Sequence, residues 1–181
     1  PGLDLEYYKL EYKHSWYQPL SKYMTLMLNG ELGYGDSYGS RDFPYFKHFY
    51  VGGVNSVRGY DTSAIGPYIA PTTSVDGNGN TITNAGYYEG GTKRIVGNAE
   101  LFFPVPGLKD SSQFRLSAFL DMGDVWTASQ SVSLSDLRYS AGAGVAWYSP
   151  FGPIKLVFAK ALNPAATDRT QIIQFQLGQQ F

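Results

Sequence analysis

Gln171-Ile-Ile-Gln-Phe-Gln-Leu-Gly-Gln-Gln-Phe181 ends the chain, alternating in polarity and closing on an aromatic. Ile173, Phe175, Leu177 and Phe181 share one face, and Ile172, Gln174, Gln176 and Gly178 the other, because successive side chains of a strand point to opposite sides. One face suits lipid and the other can be wet, which with the terminal aromatic is how a transmembrane β-barrel closes. The last strand of a soluble sheet alternates equally well, so the rest of the chain has to discriminate.

Working back from that strand, taken as residues 170–181, the same period of two marks six earlier strands at about 5–17, 23–35, 92–104, 113–127, 137–148 and 153–163. Apolar faces run through Leu10, Tyr12 and Trp16, then Leu26, Leu28 and Leu32, then Ile95, Ala99 and Leu101, then Leu116, Leu120 and Met122. They continue through Leu137, Tyr139, Val145 and Trp147, and through Ile154, Leu156, Phe158 and Leu162. The opposite faces hold Lys9, Glu11, Lys13, Glu31, Arg94, Glu100, Arg115, Asp121, Arg138 and Lys155, and Lys160 is the one full charge on the apolar side. Lys160 lies near a strand end, where a long stem can snorkel. A run of about 12 residues at ~3.3 Å per residue, tilted near ~40°, rises ~30 Å, enough to cross the hydrocarbon of a bilayer. A soluble sandwich has no reason to keep every strand that long.

Composition agrees. With 43% hydrophobic and 16% charged residues in 181 the chain folds, and a net charge of −1 with no basic tract argues against nucleic acid. Zero cysteines remove disulfides, zinc fingers and thiol catalysis together. No run approaches the roughly 20 apolar residues of a spanning helix, and mean hydropathy is −0.23. Barrel strands are apolar only on alternate residues, so low hydropathy with 15 Tyr, 11 Phe, 3 Trp and 21 Gly is what a membrane barrel shows.

The connections alternate in length. Residues 18–22, 104–112 and 149–152 are short turns, while 36–91, 127–136 and 163–169 are loops, so one rim carries turns and the other loops, the periplasmic and extracellular rims of an outer-membrane barrel. The strand-like piece Phe43-Pro-Tyr-Phe-Lys-His-Phe-Tyr-Val51 belongs to the long loop, since a crossing there would put every later turn on the wrong side. Seven strands ending at the turn rim begin at the loop rim, so residues 1–181 read as the C-terminal part of a larger all-β antiparallel transmembrane β-barrel. The opening Pro1-Gly2-Leu3-Asp4 reads as a turn and not as a leader.

Three further stretches carry a resemblance. Val57-Arg58-Gly59-Tyr60 stands in the long loop, Asp121-Met122-Gly123 in the fourth strand, and Gly178 precedes the closing Phe181. Together they resemble the BamA family, the insertases of the outer-membrane β-barrel assembly machinery, over essentially all 181 residues. The resemblance implies that loop 36–91 folds inward and that Asp121 and Glu100 receive Arg58. It also implies that the last strand pairs weakly and opens a seam where client β-barrel proteins add strands, with Gly178 helping that strand bend away. Outer-membrane lipid, client barrels and, through an upstream region, assembly-machinery lipoproteins are the expected partners, in the outer membrane of a Gram-negative bacterium, without catalytic residues, cofactor or metal.

The residues support part of this independently. A planar five-donor guanidinium flanked by a glycine suits a buried carboxylate fork. Glu100 and Asp121 share the inward parity of consecutive strands, and a turn centred near residue 110 places them opposite each other. The transporter of two-partner secretion and the translocation-assembly homologue resemble the same motifs, a passive porin is the reading from another class, and a soluble sandwich or lectin is the last. Other chemistry is thin. Asp76-Gly-Asn-Gly-Asn80 starts like a calcium loop but lacks its sixth-position glycine and twelfth-position acid, so it reads as a turn, and His14 and His48 stand apart from any metal-ligand spacing. Alone, seven strands leave two edges, so the fragment is expected to curl into a small barrel, recruit the 43–51 piece as a strand, or self-associate.

Overall fold

The computed structural model describes residues 6–38, 42–107, 113–150 and 152–178. In chain order the strands are β1 (Tyr7–Pro19), β2 (Thr25–Ser37), β3 (Tyr68–Ile69), β4 (Thr72–Val75), β5 (Thr81–Asn84), β6 (Tyr87–Tyr88), β7 (Lys93–Phe103), β8 (Phe114–Trp126), β9 (Arg138–Ser149), β10 (Gly152–Ala161) and β11 (Ile173–Leu177). Seven form one antiparallel sheet in the order β1-β2-β7-β8-β9-β10-β11, and the four short ones form two hairpin-like pairs inside the long loop, β3 with β6 and β4 with β5. No described helix is long and apolar enough to cross a membrane, which says nothing against crossing by strands.

The sheet is an open wall. Among the described residues its outer edges, β1 and β11, have no partner strand, and the 43–51 piece is not recruited to either. That piece forms a 3-10 turn at Tyr45–Lys47 and single bridges from Phe49 to Gly91 and from Val51 to Ile65. Pro44 has no N–H to give a ladder, and the neighbouring rings are drawn elsewhere: a Cβ on Gly33 would lie 2.7 Å from the Phe49 ring, and one on Gly35 would lie 2.5 Å from Phe43. Two side-chain-free positions on β2 therefore receive the loop's aromatics.

The two faces divide as the alternation requires. Leu10, Leu32, Leu120, Phe158 and Phe175 lie exposed on one face, Leu120 at 61%, an arrangement that water penalises and lipid favours. Leu137 departs from the expected outward face and is buried, because β9 begins only at Arg138. On the inner face the loop covers part of the wall. Phe49, Val51, Val57, Tyr60 and Ile65 of the loop pack with Val96 and Val125 of the wall, and Ser117, Ser140 and Gln174 are buried. A loop carrying that much apolar surface stabilises itself by displacing the water.

Two details of pairing differ from the alternation-based reading. Asp121 sits opposite Asn98 and Glu100 opposite Phe119, so the register is two residues away from the one that would set Glu100 against Asp121. The pairing stops at Phe103, before the two prolines that open the turn at Pro104 and Pro106. The last strand begins at Ile173 and not at 170, because residues 169–171 give their backbone groups to the loop instead of to β10.

Candidate functional site

The loop motif sits on the inner face of β7 and β8. Gly59 has φ +88°, and a Cβ there would stand 3.2 Å from the Ala159 Cβ and 3.3 Å from the Ala161 nitrogen, so only glycine lets the chain turn flat against β10. That turn aims Arg58 at the wall. Its Nε and Nη2 donate to Asp121 Oδ2 and Oδ1 at 2.7 Å each, its Nη1 donates to Glu100 Oε2 at 2.7 Å, and its own backbone N–H donates to Asp121 Oδ2 at 3.0 Å.

Register explains how one guanidinium reaches both acids. Asp121 and Glu100 are diagonal across the β7–β8 pair, Phe119 lies opposite Glu100 and two residues before Asp121 on the same inner parity, and the guanidinium lies 3.5 Å over the Phe119 ring. Burying two carboxylates and one arginine would leave one charge unbalanced. Lys155 of β10 approaches Glu100 at 3.6 Å and completes a neutral set of two cations and two anions. Burial works against the Arg58 charge, but the hydrogen bonds and charge of Asp121 and the charge of Glu100 outweigh it and hold its pKa above the ordinary arginine value. Asn98 adds a bond to Asp121 Oδ1 at 2.9 Å and another to the Ser56 carbonyl at 2.8 Å, tying the acid to the loop backbone a second time.

The residues flanking Arg58 divide the work. Val57 lies over Gly123, where a Cβ would meet its Cγ2 at 2.9 Å. Tyr60 is fully buried, donates to the Tyr139 carbonyl at 3.3 Å, and has its pKa pushed up to about 12 by burial and by the nearby Asp168 charge. Within the strand motif Asp121 and Gly123 face the loop, whereas Met122 points outward and covers Gly97. Gly178 ends β11 with φ +77°, its N–H donating to the Pro153 carbonyl at 2.9 Å, and Phe181 lies outside the described residues.

Three participants were not singled out from sequence: Phe119, Asn98 and Gln174. Each lies on the inward parity of its strand, which is the only sequence signal they carry. A second ion cluster closes the loop rim, with Arg138 Nε donating to Asp168 Oδ2 at 2.6 Å and Arg138 Nη1 lying 3.6 Å from Asp124. At residues 76–80 the Asp76 carboxylate accepts the N–H groups of Asn78 and Asn80 at 2.9 and 2.8 Å, the bonding of a turn between β4 and β5. His48 bonds the Glu89 carbonyl, and no group of three or more His, Cys, Asp or Glu able to hold a metal occurs among the described residues.

The arrangement holds a loop against the wall. Comparison with known proteins gives that holding site a family. The Omp85 superfamily domain matches residues 1–181. The chain is 38% identical over its full length to the outer membrane protein assembly factor BamA of Neisseria meningitidis serogroup B, and 28% identical over 79% of its length to that of Nitratidesulfovibrio vulgaris. It spans 25% and 16% of the lengths of those curated relatives. The crystal structure of BamA from Haemophilus ducreyi lacking POTRA domains 1-3 superposes with a TM-score of 0.81 at 27% identity, covering 97% of this chain and 35% of that one. With its strands, its inward loop and its whole length accounted for in this way, the chain belongs to the Omp85 superfamily, as the C-terminal part of a BamA-type outer-membrane β-barrel.

Proposed function

We propose that this chain serves in folding client β-barrel proteins and inserting them into the outer membrane, without covalent catalysis and without a cofactor. The observation that carries the reading is its 38% identity, along all of its length, to a protein named as an outer membrane assembly factor. Residues 1–181 act as the C-terminal part of one barrel domain, and residues 36–91 act as its inward loop. Val57, Arg58, Gly59 and Tyr60 with Asp121, Glu100 and Gly123 keep that loop seated and the wall rigid.

In the complete barrel the last strand pairs weakly at the seam. Backbone groups left unpaired where the seam opens are costly in lipid, on the order of several kcal/mol each, so an incoming client strand that pairs with them is stabilised at once. The driving force is the burial of client apolar faces and the closing of client hydrogen bonds, so no nucleotide is needed. Gly178, with φ +77° just past β11, gives the strand a left-handed bend that weakens the ladder there. Outer-membrane lipid and client barrels are the partners of this part of the molecule, and lipoprotein partners belong to an upstream region.

The test uses the full-length protein reconstituted in liposomes with a urea-unfolded client barrel. Client folding, read as protease protection and a gel-mobility shift, is expected to be faster than in empty liposomes. A steady ion-selective conductance with no acceleration of client folding would mean a passive pore instead.

A further inference from the structure

Five hydrogen bonds join the motif loop to the far side of the wall from Arg58. The Gln171 N–H donates to the Gly59 carbonyl and the Asp61 N–H to the Arg169 carbonyl, both at 2.9 Å, so residues 59–61 and 169–171 pair as a short antiparallel bridge. Gln174 Oε1 accepts the Gly59 N–H at 3.3 Å while its Nε2 donates to the Tyr60 carbonyl at 2.7 Å. Gln176 Nε2 donates to Asn55 Oδ1 at 3.0 Å.

We infer that Gln174 is a positioning residue that couples the last strand to the seated loop, so that β11 cannot leave the edge of β10 without unseating the backbone beside Arg58. The inference rests on the reading that the β11 edge is where client strands join. A primary amide carries a donor and an acceptor on one plane, and Gln174 uses both on neighbouring residues, accepting from Gly59 and donating to Tyr60. At 4% exposure it has no water with which to make up a missing partner. A carboxylate can only accept, and an aliphatic side chain can do neither.

The position gives the clamp its leverage. Among the described residues β11 pairs with β10 from Phe158–Ile173 to Ile154–Leu177, whereas β9 and β10 pair from Gly152–Ser149 to Ala161–Ser140. The loop adds its own hydrogen bonds to what holds the last strand. The same loop segment is anchored by Arg58 to β7 and β8, so it forms a tie across the inner face of β9 and β10. A client strand that displaced β11 would pull directly on this tie, and a loop that left its seat would free β11.

The experiment is hydrogen exchange, read by mass spectrometry and always relative to wild type at the same pH, on the full-length protein with Gln174→Leu or Gln174→Glu. At about pH 9 both variants are expected to exchange roughly tenfold faster across residues 59–61 and 169–172, since each lacks the donor to the Tyr60 carbonyl. At about pH 5 the buried glutamic acid is protonated and regains a donor, so Gln174→Glu returns to near wild-type protection while Gln174→Leu does not. A glutamine that only fills space gives two variants with no pH dependence, and that result, or unchanged exchange at both pH values, overturns the inference. Should the variants fail to fold, the unmodified protein decides: exchange of 59–61 and 169–172 as one cooperative unit supports the clamp, and independent exchange defeats it. Loss of client folding by the wild-type protein would defeat the functional reading, and these exchange data would still report on the clamp.

Discussion

Val57 occupies the space that a side chain on residue 123 would need. A Cβ on Gly123 would lie 2.9 Å from Val57 Cγ2, 2.9 Å from the Ile95 carbonyl and 3.2 Å from Val96 Cγ2, so the glycine of the strand motif is a seat for the valine of the loop motif. Gly123→Ala is expected to loosen the loop by about 1 to 3 kcal/mol, the usual cost of forcing an extra methyl into a packed site. Val57→Ala in the same chain should recover part of it. Protease cleavage rates within residues 61–91, in a barrel whose gel mobility is unchanged, measure both.

Arg58→Ala leaves Asp121 and Glu100 buried, with Lys155 as the remaining nearby cation. Removing one partner of such a set costs about 3 to 5 kcal/mol, so loop protection and client insertion should both fall. Arg58→Lys keeps the charge but lacks the planar fork that spans the diagonal between the two acids, and should rank between wild type and alanine. Exchanging the charges with Arg58→Asp and Asp121→Arg should restore little, because an aspartate at 58 would face Glu100 and residue 121 would no longer accept from Asn98 and the residue-58 N–H. Wild-type cleavage rates in Arg58→Ala would show that the ion set does not hold the loop.

Alkaline pH should release the loop in part. Tyr60 has its pKa raised from 10.0 to about 12 by burial, so the folded state prefers the neutral phenol more strongly than the unfolded chain does. Its contribution is whole below pH 10, and is lost as pH rises through about 12. A Tyr60→Phe protein loses one hydrogen bond at neutral pH but should show a smaller rise in loop cleavage over that window than wild type. An equal rise in the two proteins would assign the effect to other groups.

Side-chain direction predicts the lipid contact. Spin labels at Leu120 and Phe158, on the outer face, should collide with lipid-soluble oxygen. Labels at Ser140 and Ser117, under the loop, should be shielded from both oxygen and a water-soluble quencher. Reversal on two adjacent strands would remove the membrane reading.

The isolated chain has two strand edges to satisfy. In detergent or lipid those edges favour pairing with another copy, and light scattering should find oligomers whose cross-links join position 12 on β1 to position 175 on β11. A stable monomer with full insertion activity would contradict this.

Much of the wall was legible from one local property. Residues at a spacing of two share a face whatever the chain does elsewhere, so β7, β8, β9 and β10 fall within a few residues of where the alternation puts them. Where alternation misled, a long-range partner intervened: residues 170–172 alternate in continuity with β11, yet Thr170 bridges Tyr60. Phe43 to Val51, read as part of the loop from the parity of the turns, is held there by its rings resting on Gly33 and Gly35. Alternation assigns Phe119, Asn98 and Gln174 no role for a related reason: parity marks them as inward, but many residues are inward, and only the path of the loop selects these three.

By itself, then, the sequence determined a membrane-spanning antiparallel wall with one lipid face, because that information lies in neighbours two residues apart. Only the long-range packing sets where the loop's apolar residues rest on Val96 and Val125, how Arg58 bridges a diagonal of Asp121 and Glu100 over Phe119, and how the last strand is tied to the loop through Gln174. Those contacts of Arg58 and Gln174 join residues 42 to 115 positions apart. They depend on a two-residue choice of register and on where a long loop comes to rest, and both are set by how the whole assembly packs.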